Sequence, residues 1–310
     1  DVNNATGGSV MVFETDGSEK ARIDDGGRLL IGTTVTDNRD GYNSSLQIAG
    51  TTGDGSSMCI GRYSANTSYP ALVFSKSRNA SINSHTRLNT NDYLGGIQFQ
   101  GDDGTRFLVG ASIVAQAASP VADYDMATDL IFSTNYGTTS PTKSMTFDQQ
   151  GRLTKPNQPS FLAEHQHADG SPKQKGELLN QFIRNFTLVR HNTGNCYSNS
   201  TGKFTAPVDG MYLFHIDLTM DGGDGQDDSA GCYFRVENNS ANYNRTHGGV
   251  RDFHSVNPRY HTTANGYEMN SSFQTIEKLA AGATVGWYFT DWDHTGTRIT
   301  TAFLSGYKLG

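Results

Sequence analysis

Long apolar runs are missing from this chain. None approaches the roughly 18 residues that a membrane-crossing helix needs, so no such helix is expected. No basic segment followed by an apolar stretch opens the chain, so no signal peptide is expected. Charge is sparse at 18 % of residues and nets to −7, which argues against a general phosphate-binding surface and against nucleic acid as a partner. Only three cysteines occur, Cys59, Cys196 and Cys232. No CxxC links them, so a zinc or thioredoxin-like motif is absent. Two arrangements stay open: buried unbridged thiols, or a Cys196–Cys232 bridge with one cysteine left over.

Helical periodicity is almost absent too. Its best instance is Lys175–Phe186, where Leu178, Leu179, Phe182 and Ile183 recur at helical spacing, as one short helix or a loop that packs. Catalytic signatures are absent: there is no GxxxxGK[ST], HExxH or GxSxG, and an enzyme is not expected.

Turn and small polar residues abound. Gly, Ser, Thr and Asn make up 118 of the 310 residues. Against them stand 16 Phe, 14 Tyr and 2 Trp, enough to build cores, so disorder is excluded. Apolar and polar residues alternate in short runs such as Ser9–Phe13, Gly96–Gln100, Asp129–Ser133 and Met211–Ile216. An all-β chain is the expectation.

An internal echo sits in the first half. Ala21-Arg-Ile-Asp-Asp-Gly-Gly-Arg-Leu-Leu-Ile31 is matched by Met145-Thr-Phe-Asp-Gln-Gln-Gly-Arg-Leu153. Each copy has an alternating strand, an Asp-x-x-Gly turn, then Arg and an apolar return strand, which is how a β-hairpin is written. Lys155-Pro-Asn-Gln-Pro159 interrupts strand pairing and stiffens the chain. Eight of nine His and both Trp follow it. The expected domains are a hairpin segment at 1–41, a Gly-rich β domain at 42–156 and a β domain at 157–310.

The last of these resembles the C1q-like globular head of the C1q/tumour necrosis factor superfamily. Four motifs carry the resemblance in order: Pro159-Ser-Phe-Leu-Ala163; Asn192–Tyr197 with Thr201–Phe214; Leu279–Trp287; and Phe303–Leu309. The resemblance implies a jelly roll that assembles as a homotrimer through one sheet face. The first half resembles bacteriophage tail-fibre β domains, through Phe13–Gly17, Gly27–Thr34, Leu94–Gln100, Phe107–Ala111 and Met145–Asp148. Animal members of the superfamily follow a collagen stalk. No Gly-x-y tract occurs here, which points to a phage or bacterial adhesin.

Together these resemblances imply a Gly-rich β shaft followed by a C1q-like jelly-roll head, in an intertwined homotrimer. Its implied role is the distal, receptor-binding part of a phage tail fibre, on the virion, engaging a host surface glycan or protein. A trimerisation knob and a tailspike depolymerase are the alternatives. Because the chain begins at Asp1 inside a hairpin repeat, it is expected to be part of a longer fibre. Its missing N-terminal part would join other tail or baseplate proteins.

Three constellations are candidate sites. His165 and His167 sit at i and i+2, the same face of a strand. Three chains would bring about six imidazoles to an axis, suited to an octahedral transition metal. The resemblance to trimeric fibres with His-x-His sites supports this; two solvated histidines are the plainer alternative. Asp221, Asp224, Asp227 and Asp228 lie in an acidic Gly-rich stretch that could wrap Ca²⁺, although it is no EF-hand loop. Tyr288–His294 and Arg251–His261 combine aromatics, His and charge in loop-like contexts. Flat aromatic faces beside polar donors suit a glycan or protein epitope, so Trp292, Asp291, Asp293, His294, Phe253 and Tyr260 are candidate receptor contacts.

Overall fold

The computed structural model describes residues 2–3, 9–37, 41–165, 173–174, 181–221, 230–238, 261–263, 266–292 and 298–309. Among them there is no α-helix; one 3₁₀ turn at Asp54–Ser56 interrupts an otherwise all-β chain. The chain divides into two compact units, Asp1–Lys155 and Pro156–Gly310.

The first unit carries two five-stranded sheets. One runs in chain order through β1 (Val2–Asn3), β2 (Val10–Thr15), β3 (Ser18–Ile23), β4 (Leu29–Ile31) and β5 (Leu46–Ile48). The other orders β10-β9-β8-β7-β6, from β6 (Tyr93–Asp102), β7 (Phe107–Ala117), β8 (Thr128–Thr134), β9 (Thr142–Phe147) and β10 (Leu153–Thr154). It is an antiparallel meander, which needs only tight turns.

The internal echo builds the same turn twice. Asp24 Oδ1 accepts from the amides of Gly26 (3.0 Å) and Arg28 (2.9 Å), and Oδ2 accepts from Arg28 Nε (2.8 Å). Asp148 repeats each bond, from Gln150 N (2.9 Å), Arg152 N (2.9 Å) and Arg152 Nε (2.7 Å). The fourth residue of each turn is glycine at positive φ, 75° at Gly27 and 77° at Gly151, where a side chain would be strained. The carboxylate stands in for backbone partners that a two-residue turn would have supplied.

The second unit is a two-sheet sandwich. Its strands are β11 (Ser160–His165), β12 (Lys173–Gln174), β13 (Gln181–Phe182), β14 (Leu188–Thr193), β15 (Tyr197–Ser198), β16 (Lys203–Thr205), β17 (Gly210–Asp221), β18 (Ala230–Glu237), β19 (His261–Thr263), β20 (Gly266–Leu279), β21 (Thr284–Trp292) and β22 (Arg298–Leu309). One sheet orders β14-β11-β22-β17-β20-β19, with β12 on β22; the other orders β13-β21-β16-β15, with β18 on β21. Alternation along β17 sends Tyr212, Phe214, Ile216 and Leu218 inward. These meet Phe161, Phe204, Val285 and Trp287 from other strands in one core.

Rings fill that core at contact distance. Phe161 stacks on Tyr197 with centroids 4.3 Å apart, and Phe204 meets Phe214 edge-on at 5.2 Å. Tyr212 donates its hydroxyl to the Val208 carbonyl (2.7 Å), fastening the turn that leads into β17. Lys308 N donates to the Pro159 carbonyl (3.0 Å), tying the entering chain to the final strand.

Two alternatives that the sequence leaves open are decided, and the expectation that Cys59 is buried is corrected. Residues 181–186 are not helical: Ile183 N donates to Trp287 O in β21 and Asn185 N to Asn199 O in the turn after β15, so the backbone bonds go to distant segments. Gln181–Phe182 is a short strand, and the packed loop after it seats Ile183 and Phe186 in the core; residues 175–180 lie outside the described residues. Cys196 is buried and unbridged, so it forms no bridge to Cys232, whereas Cys59 is exposed rather than buried.

A β-carbon at Gly306 would lie 2.6 Å from the Phe214 ring and 2.7 Å from that of Phe161. Gly306→Ala is expected to destabilise the head by about 1–3 kcal/mol in urea unfolding. The Asp24 and Asp148 carboxyls are held below the usual carboxylate range, first by the amides of Arg28 and Arg152. A lowered folded value stabilises above the unfolded carboxylate value, and this is lost as pH falls through the folded one. Thermal unfolding of the first unit should therefore weaken below about pH 4, and an Asp24→Asn, Asp148→Asn chain should lack that component.

Candidate functional site

The registers of the head bring three candidate residues, Asp221, Asp291 and Trp292, to one end. Asp221 closes β17 opposite Glu268 and Arg298. In the other sheet Ala230 pairs with Trp292 and Gly231 with Asp291. The strand ends at Asp221, Ala230, Trp292 and Arg298 therefore lie at the same end of the sandwich, as do Thr263 and Gly266. The chain enters at the opposite end, where Ser160 pairs with Tyr307 and Gly210 with Leu279.

Of the sequence-derived residues, Asp221, Asp291 and Trp292 are thus placed by their backbones within this end. The stretch Tyr288–Trp292, expected in a loop-like context, is the last part of strand β21. Asp224, Asp227, Asp228, Asp293, His294, Phe253, Tyr260 and His167 lie outside the described residues. His165 ends β11 opposite Ala302 and is only 3 % exposed. It shares the inward side with Phe161 and Ala163, since all three are buried in alternation. Ala302 in turn faces Leu218, three residues before Asp221, so His165 lies about 10 Å short of that end. Among the described residues no group of three His, Cys, Asp or Glu is placed to hold a metal ion.

One constellation was not legible from sequence. On the outer side of the smaller sheet, Phe182 and Tyr288 meet edge-on with centroids 5.2 Å apart. The Arg235 guanidinium lies 4.7 Å from the Tyr288 ring, and Lys203 Nζ 4.4 Å from that of Phe182. Glu237 accepts from Lys203 (2.6 Å) and pairs with Arg235 (3.1 Å). These residues come from four strands. The one local signal is Arg235-Val-Glu237, whose alternation turns both charges outward while Val236 packs on the core. Nucleophilic chemistry has no support at Cys196: burial pushes its thiol up, away from the thiolate. The Tyr197 phenol is likewise pushed up by burial.

Residues 161–248 match the family model of the C1q domain, and the sandwich is a C1q-like jelly roll. Among solved structures the chain is similar to the globular domain of zebrafish complement 1qA protein: 16 % identity and a TM-score of 0.32, covering 49 % of this chain and 98 % of that one. It is also similar to the carboxy-terminal domain of the bacteriophage T5 L-shaped tail fibre: 15 % identity and a TM-score of 0.37, covering 50 % of this chain and 68 % of that one. Comparison with curated proteins found no match.

Trp287 is fully buried beneath Phe234 and Phe273, at 5.0 and 5.1 Å between centroids. Trp287→Ala is expected to cost about 3–5 kcal/mol of head stability in denaturant unfolding followed by circular dichroism.

Proposed function

We propose that this chain is the distal part of a bacteriophage tail fibre, a homotrimeric receptor-binding protein that attaches the virion to a host surface glycan or protein. The observation that carries this reading is the polarity of the head. Its core is completed by strands of one chain, while Asp221, Asp291 and Trp292 stand at the strand ends opposite the entering linker. A rigid sandwich with connections at its far end suits recognition, since loops on a rigid scaffold commonly carry binding. The β-hairpin unit ahead of it, with its twice-used Asp turn and no collagen tract, fits a fibre shaft. Binding needs no covalent step, and three copies on each of several fibres would convert weak single contacts into firm adhesion.

Within this reading Trp292, Asp291, Asp293 and His294 are proposed receptor contacts, together with Phe253 and Tyr260. The acidic stretch from Asp221 to Asp228 is a proposed Ca²⁺ site at the same end. The full chain should sediment at about 100 kDa, three times 33.6 kDa, and label host cells. A Trp292→Ala, Asp291→Ala chain should keep that mass and lose at least tenfold in cell binding. Undiminished binding by that variant would remove the contact assignment. Host cells left unlabelled by the wild-type trimer would favour a capping knob, and falling capsule viscosity a depolymerase.

A further inference from the structure

Residues 57–77 form neither strand nor helix, although Ser57 is extended at φ −111° and ψ 154°. Among the described residues, no backbone-to-backbone hydrogen bond is made within this stretch; those flanking it are Ser56 N to Gly53 O and Arg78 N to Thr86 O. Its residues are nonetheless strand formers, including Ile60, Tyr63, Tyr69, Leu72 and Val73, with Arg62 the one charge between 57 and 75. All five of those side chains are exposed. A run of this length without secondary structure is uncommon in a compact domain. Its middle is nevertheless a defined bend: Asn66 Oδ1 accepts from Ser68 N (3.1 Å) and an Arg62 guanidinium nitrogen (3.3 Å). Its root is seated on its own sheet, since a β-carbon at Gly95 would lie 2.4 Å from Phe74 Cβ.

The same unit has a second deficit. In the β6–β10 sheet, Val109, Ile131 and Thr146 on one side are buried. On the other side, cross-strand rows bring together Phe147 with Leu130 and Phe132 with Ile113 and Ile97. These rows contain no charge, yet Ile97, Phe99, Phe147 and Leu130 remain 45, 54, 40 and 39 % exposed. The arm of one copy and this face of another together offer roughly 1,000 Å² of apolar side chain, about the total area at which a specific interface begins. Bent at Asn66, the arm 58–73 has two limbs of about 25 Å each, long enough to lie across the roughly 19 Å width of a five-stranded sheet.

We propose that the arm 58–73 of one copy lies on the open face of the β6–β10 sheet of a second copy, which shields its backbone and its apolar side chains. One chain holds both halves of the interface, and repetition around a closed ring satisfies every copy. The proposal rests on the self-association proposed above and names the surfaces that carry it in the first unit.

Hydrogen exchange on the full chain tests it, with mass measured on the same sample. Amides of 58–73 should exchange at least 100-fold more slowly than in an unfolded peptide of that sequence. Exchange at the peptide rate in a particle of trimer mass would overturn the arm contact and leave self-association standing. Monomer mass would overturn both. In an Ile97→Asp, Phe99→Asp chain the arm should exchange at least tenfold faster, while β17 and β22 stay protected as in the wild type. Arm protection that survives those two charges would show that another surface holds it and would sink the proposal; a variant whose head also loses protection returns the decision to the wild-type measurement.

Discussion

The rings of Phe161 and Phe214 rest against Gly306, and the inner strands of the head close around that contact. Phe161 enters from β11 and Phe214 from β17, on either side of β22, whose glycine offers no side chain to hold them apart. From there the packing spreads through Phe204 to Tyr212, and through Phe234 to Trp287. With 35 % apolar residues in the chain, burial has to be concentrated, and it is concentrated in these rings.

The two units handle the same shortage differently. Twenty of the buried apolar residues belong to the head and five to the first unit, among the described residues. The first unit relies on polar turns instead, where Asp24 and Asp148 satisfy amides that the tight reversals would leave open. Its hairpins are locally well specified, while one sheet face and a long arm lack cover from their own chain.

Much of the architecture was legible in the sequence because a strand's two faces read as alternation of period two. Phe214, Ile216 and Leu218 announce their inward side in this way. The Asp-x-x-Gly-Arg turns were legible because their bonds close within five residues. The segment around Phe182 was harder. Its apolar spacing fits a helix or a packed loop equally, and the choice fell to partners about a hundred residues away, such as the Trp287 carbonyl. The cluster of Arg235, Tyr288, Phe182 and Lys203 escaped notice for the same reason, since four strands contribute to it.

By itself, the sequence determined the all-β class, the hairpin turns and the aromatic stock of the core, because these follow from local stereochemistry and side-chain type. The tertiary structure alone decided that His165 faces inward, that Cys196 stands unbridged and that Asp221, Asp291 and Trp292 share one end of the sandwich. Those outcomes depend on strand register, and register is set by which distant strands find each other, a property that no window of neighbouring residues contains.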